Sequence, residues 1–177
     1  MIMDFIVVSD THGRYNILET LLKNQLKLHE KFRPGQLIHL GDGAGDVEKC
    51  VSSRNFCVHQ VRGNCDGFFS SYAESLPKEK LLEFYGHKIL ITHGDSFSVK
   101  SGDVRAVIYA SQIGADILMY GHTHTPLTYT LEKGANVGGV ILNKDLTVVN
   151  PGSLGYGNSF CIVSVENERV FVSHSEI

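Results

Sequence analysis

Asp116-Ile117-Leu118-Met119-Tyr120-Gly121-His122-Thr123-His124 joins a short apolar run to two histidines one residue apart. A run of that length reads as a buried strand, and the glycine lets the chain turn away at its end. Two imidazoles at alternate positions of an extended segment point roughly the same way, a sensible means of presenting nitrogens to a metal centre. Alone the pattern is weak, because a surface turn can carry two histidines. Its weight comes from four similar junctions earlier in the chain.

Phe5-Ile6-Val7-Val8 runs into Ser9-Asp10-Thr11-His12-Gly13, and Leu37-Ile38-His39-Leu40 into Gly41-Asp42. His59-Gln60-Val61 runs into Arg62-Gly63-Asn64-Cys65-Asp66, and Leu90-Ile91-Thr92 into His93-Gly94. Residues at the carboxyl ends of strands in one open sheet share a rim, and that rim is where α/β folds place ligands. A shuffled chain of this composition would hold roughly 0.5 Asp-x-His and about 0.05 Gly-His-x-His. All five motifs together have an expectation near ~10⁻³, so the constellation is strong although its parts are weak.

Between these junctions, residues 15–30 carry Ile17, Leu18, Leu21, Leu22, Leu26 and Leu28 on one helical face, ended by Arg33-Pro34-Gly35. Asp46 is expected to cap a second helix reaching about Ser53. Strand, helix, strand, helix, strand argues for a parallel sheet with right-handed crossovers. Residues 68–80 read as irregular, residues 80–92 as a hairpin turning at Gly86-His87, and residues 103–114 as a helix. Strand-like runs follow at 127–131, 140–142, 146–149, 159–165 and 169–174. A second sheet packed on the first, with helices outside, accommodates them.

The 177 residues are expected to form one domain, 1–177, large enough for a full core. A net charge of −3 without any basic block excludes a broad nucleic-acid surface, so phosphate recognition must be local. Cys50, Cys57, Cys65 and Cys161 form no CxxC pair, and Met1-Ile2-Met3-Asp4 does not begin a secretory signal. These features predict a cytoplasmic protein with reduced thiols. No apolar run is long enough to cross a membrane.

Asp10, Asp42, Asn64, His12, His93, His122 and His124 form a mixed oxygen and nitrogen donor set without thiolate. Such a set suits Mn²⁺, Fe²⁺, Co²⁺, Ni²⁺ or Zn²⁺. Seven donors are too many for one catalytic ion with an open position; they fit two ions sharing a carboxylate.

These motifs, in this order, resemble the calcineurin-like metallophosphoesterases, and among them the small bacterial and archaeal phosphodiesterase branch. Asn150-Pro151-Gly152-Ser153, on its own reading a turn, looks similar too. The resemblance implies a four-layer α/β/β/α sandwich binding two divalent ions, Mn²⁺ foremost. It also implies that Asp10, His12, Asp42 and His124 hold one ion, and Asp42, Asn64, His93 and His122 the other. Asn64, Cys65, Asp66 and His93 are the catalytic candidates, with Asp66 expected to orient its neighbours. Two ions, two carboxylates and a bridging hydroxide leave about +1, matched to a phosphodiester monoanion attacked in line at phosphorus. The expected partner is a small phosphodiester, nucleotide-derived compounds included, with no membrane; a homodimer through exposed hydrophobic loops is open.

Many members of the family carry histidine where this chain has Cys65, and a thiol is a poor replacement for an imidazolium. The expectation is therefore good diesterase and poor monoesterase activity. The rivals are a phosphatase or nucleotide pyrophosphatase on the same centre, and a binding scaffold like the family's relatives in membrane-trafficking coats. His39 reads as a core histidine. His29, His59, His87 and His174 read as surface or packing residues, and Gly41, Gly43 and Gly45 as a flexible turn around Asp42.

Overall fold

A computed structural model describes residues 2–28, 35–51, 56–67, 71–166 and 169–177. The chain begins with β1 (Ile2–Val8), α1 (Tyr15–Leu28), β2 (Gly35–His39), α2 (Ala44–Val51) and β3 (Phe56–Gln60). A short α3 (Ser71–Ser75) leads to β4 (Glu79–Phe84), β5 (His87–Thr92), α4 (Val104–Gln112) and β6 (Ile117–Tyr120). Then come β7 (Pro126–Leu131), β8 (Asn136–Val137), β9 (Val140–Ile141) and β10 (Leu146–Pro151). The last elements are α5 (Leu154–Gly157), β11 (Ser159–Glu166) and β12 (Arg169–Glu176). The expected ends of the first two helices, His29-Glu30 and Ser52-Ser53, lie outside the described residues, as do His29 itself and Phe68 to Ser70.

One sheet has the order β12-β11-β1-β2-β3 and the other β4-β5-β6-β10-β7. In the first, β1, β2 and β3 are parallel; in the second, β5, β6 and β10 are. Strand alternation sorts the core into layers. Phe5 and Val7 face the second sheet, meeting Ile89, Ile91, Ile117, Met119 and Val149. Ile6 and Val8 face the other way, against Leu18, Leu21 and Leu22 of α1 and Val47 of α2. On the far side, Leu90, Leu118 and Val148 pack against Ala106, Val107 and Ala110 of α4. The result is the four-layer α/β/β/α sandwich.

Several details differ from the sequence reading. β11 and β12 return to the first sheet, β11 antiparallel to β1 and β12 antiparallel to β11, and among the described residues β8 and β9 pair only with each other. Residues 68–80 contain α3 and the start of β4. The β4–β5 turn is Tyr85-Gly86, one residue earlier than expected. Both residues have positive φ (49° and 85°), as a type I′ turn requires, and Phe84 pairs with His87. Asp46 does not cap α2; its carboxylate accepts from Thr11 Oγ1 (2.7 Å) and the Gly13 amide (2.8 Å). No helix among the described residues is long and apolar enough to cross a membrane.

Candidate metal centre

Six parallel strands, three from each sheet, deliver their carboxyl ends to one rim. β1 leads to Asp10 and His12, β2 to Asp42, β3 to Asn64, β5 to His93, β6 to His122 and His124, and β10 to Ser153. The β1 and β2 loops are tied by backbone bonds from Asp10 N–H to Gly41 O (2.9 Å) and His12 N–H to Asp42 O (3.0 Å).

The chain after Tyr120 is not extended. His122 and His124 have φ of 66° and 61°, and Asp10, His12 and Asp42 share that left-handed conformation at 55°, 46° and 57°. Left-handed turns directly after the strands bring the side chains back over the rim, and Asp and His tolerate that conformation better than most residues. The spacing of two histidines is met, but through a turn rather than through strand alternation.

Side chains from these loops converge. His124 Nε2 lies 3.1 Å from Asp10 Oδ1, and His12 Nε2 lies 3.6 Å from the same oxygen and 3.9 Å from Asp42 Oδ2. His93 Nε2 faces Asp42 Oδ2 at 3.4 Å, Asn64 Oδ1 at 3.2 Å and His122 Nδ1 at 3.0 Å. Thus Asp10, His12 and His124 make one group and Asp42, His93 and His122 another, with Asp42 also beside His12 and Cys65. Within each group the donor atoms lie within 4.8 Å of one another. Cys65, a catalytic candidate outside the predicted donor set, lies beside His12 and Asp42.

The electrostatics favour cations. Asp10 and Asp42 are 0% and 3% exposed, and among the described residues neither pairs with a lysine or arginine. Burial alone would raise the Asp42 pKa, but hydrogen bonding to and the charge of His93, with the Cys65 amide at 2.7 Å, hold it below the usual carboxylate range. Burial would lower His93, yet the Asp42 partnership raises it above the ordinary histidine value. His93 Nδ1 sits 2.7 Å from the Leu40 carbonyl, which turns Nε2 toward the centre. His12 Nε2 is buried without a hydrogen-bond partner. An orphaned imidazole nitrogen beside two buried carboxylates is a donor set that fits divalent ions.

Cys65 sits at the exposed end beside Asn64, whose Nδ2 donates to Sγ (3.2 Å). Partial burial, then the Asp42 carboxylate, push its thiol up to about 11, so it stays neutral. The Asp66 carboxylate accepts from the amides of Asp42, Gly43, Ala44 and Gly63 at 2.7–2.9 Å. It therefore positions the Asp42 loop and the start of α2. His39, fully buried, accepts the Gly41 amide on Nδ1 (3.2 Å) and has Nε2 3.4 Å from Thr11 Oγ1. Burial depresses its pKa to about 4. His59 and His174 lie elsewhere, bonded to Gln36 and Thr128.

Of the glycines around Asp42, Gly41 and Gly43 mark close packing rather than flexibility, whereas a Cβ on Gly45 would meet nothing within 4 Å. A Cβ on Gly41 would meet the Gly63 amide nitrogen at 2.6 Å, and one on Gly63 would meet Asp42 Oδ1 at 2.1 Å. Asn150 to Ser153 do more than make a turn: they take a place at the rim, the second reading that their sequence allows. Asn150 Nδ2 donates to Gly121 O and Thr123 Oγ1, both at 3.0 Å. Ser153 Oγ donates to Asp10 O (2.9 Å), and the Gly155 amide donates to the same oxygen (3.0 Å). The Tyr156 ring packs on His12 and His124. One signal could have found this segment: Thr147-Val148-Val149 makes a sixth apolar run ending in a polar cluster.

Comparison with known proteins agrees with this geometry. The profile of the calcineurin-like phosphoesterase superfamily domain matches residues 3–168. The chain is 29% identical over 175 residues to the probable metallophosphoesterase YsnB of Bacillus subtilis, covering 96% of this chain and 89% of that one. A predicted phosphoesterase from Streptococcus pneumoniae superposes with a TM-score of 0.70 at 23% identity, over 98% of this chain and 89% of that chain. Zinc-complexed Vps29 from Entamoeba histolytica superposes with a TM-score of 0.62 at 19% identity, over 98% of each chain.

Proposed function

The chain belongs to the calcineurin-like phosphoesterase superfamily, and from that premise we propose that it is a phosphodiesterase working with two divalent ions, Mn²⁺ first among them. The observation that carries this reading is the pair of buried carboxylates, Asp10 and Asp42, facing four histidines without a lysine or arginine partner among the described residues. Asp10, His12, Asp42 and His124 would hold one ion, and Asp42, Asn64, His93 and His122 the other. Divalent ions held there supply positive charge against the phosphoryl group and acidify water for in-line displacement at phosphorus.

The remaining work falls to the chain itself. The Leu40 carbonyl fixes the ring of His93, and Asp66 fixes the Asp42 loop through four amides. At the exposed end the neutral Cys65 thiol offers no positive charge. A monoester dianion needs one more compensating charge than a diester monoanion, so this end favours diesters. Four free cysteines and a net charge of −3 support a cytoplasmic protein acting on small esters.

The test is elemental analysis of purified protein, together with hydrolysis of bis-p-nitrophenyl phosphate and p-nitrophenyl phosphate under added Mn²⁺. We expect about two ions per chain, a clear preference for the diester, and loss of turnover with a chelator. Absent turnover would favour the scaffold reading, since Vps29 proteins share the fold; metal-independent turnover would overturn the two-ion mechanism, and a large monoester preference would favour a phosphatase.

A further inference from the structure

Tyr156 is the most exposed large hydrophobic side chain among the described residues, at 66%, although it stands over the metal-ligand cluster. Its ring lies 5.4 Å from that of His124 at an interplanar angle of 23°, and 5.1 Å from that of His12 at 53°. One side rests on the His124 imidazole, and most of the ring stays in solvent. The backbone beneath it is pinned. Tyr156 N–H donates to Ser153 Oγ (3.1 Å), Gly157 N–H to Ser153 O (3.0 Å), and Gly155 N–H to Asp10 O (3.0 Å). A flat aromatic surface is therefore held at a fixed place beside the proposed reaction centre.

We propose that Tyr156 is a stacking platform for a planar ring, of the nucleobase kind, carried by one ester arm of the substrate. The inference rests on the phosphoesterase reading above and names its substrate class. The direction of the arm is set by the neighbours. Tyr156 touches His12 and His124, the histidines grouped with Asp10, whereas Asn64 stands by His93 of the other group. The ring-bearing arm lies over His124, and the other ester arm runs toward Asn64 and His93. Stacking on an exposed aromatic side chain accepts any base, because each presents a π face.

The test is calorimetric titration of the Mn²⁺-loaded protein with 5′-AMP and with ribose 5-phosphate, which differ only in the ring. The wild type should bind 5′-AMP about tenfold tighter. In Tyr156→Ala the ratio should collapse toward one while ribose 5-phosphate affinity stays within about twofold; Tyr156→Phe should keep the ratio. If Tyr156→Ala weakens both ligands equally, or leaves the ratio as it was, the ring only packs against His124 and the proposal is overturned. Equal wild-type affinities overturn it as well. If neither ligand binds, this inference is overturned; the phosphoesterase reading falls with it only where bis-p-nitrophenyl phosphate turnover is absent too.

Discussion

Ser153 Oγ donates to the Asp10 carbonyl at 2.9 Å, across 143 residues of chain. The same hydroxyl oxygen accepts the Tyr156 amide at 3.1 Å, so one side chain clamps the β1 loop to the start of α5. Ser153→Ala should cost about 1–2 kcal/mol of stability, because a part-buried amide loses its partner. It should also weaken metal uptake about tenfold by loosening Asp10. Denaturant unfolding and Mn²⁺ titration read the two effects separately; unchanged metal affinity would show that Gly155 holds the loop alone.

Asp42 lies between the two donor groups, so its loss should be felt by both. Asp42→Asn is expected to lower bound metal by half or more and turnover by at least ~100-fold. In the metal-free protein it should also move His93. With the carboxylate gone, burial dominates and the His93 pKa should fall, visible in an NMR titration of the ring. A His93 pKa that stays raised would assign the shift to Asp10 instead.

Cys65→His would place a titratable cation at the exposed end of the centre. Monoester turnover should rise relative to diester turnover by about tenfold near neutral pH, where imidazolium is partly populated. The ratio of the two p-nitrophenyl substrates measures it. A ratio that does not move would mean that position 65 does not face the ester.

Stability of the metal-free protein should peak near neutrality, with His39 foremost among the histidines that shape the acid limb and His93 shaping the alkaline one. His39 has its folded pKa depressed to about 4. Above about pH 6.5 it is neutral in both states; as pH falls toward 4 the unfolded chain binds a proton that the folded chain refuses, and stability drops by up to about 3 kcal/mol. His93 has its folded pKa raised. Its contribution is full below about pH 6.5 and is lost as pH rises through its folded value. Urea midpoints from pH 4.5 to 9 test this, and His39→Asn should make the acid limb shallower while leaving the alkaline limb as it was. An acid limb equally steep in that variant would place its cause elsewhere.

Both sheets are legible as runs of apolar residues, and the rim is legible because each parallel strand ends at its polar cluster. What alternation cannot reveal is which sheet a strand joins. Residues 159–165 read only as a strand, whereas the pairing of Val163 with Phe5 that returns it to the first sheet depends on the whole chain. Asp46 and Asp66 exchange roles for the same reason. A carboxylate next to a helix start looks like its cap, yet the Ala44 amide is met by Asp66, 22 residues later. Tyr156 has no signal of its own, since one aromatic in a glycine-rich turn is ordinary until its neighbours are known.

Five of the seven proposed ligands stand in backbone conformations that most side chains avoid. That narrows the alphabet at each of them twice over, once for the cation and once for the turn. A glutamate at 42 or 10 would keep the charge but fit the left-handed bend less well than aspartate, and a cysteine at 12 or 122 would fit it less well than histidine. Glycine would relax the bend and carry no donor. The chemistry and the geometry thus select the same few short polar residues, and swaps chosen for ligand type alone should fail at these positions.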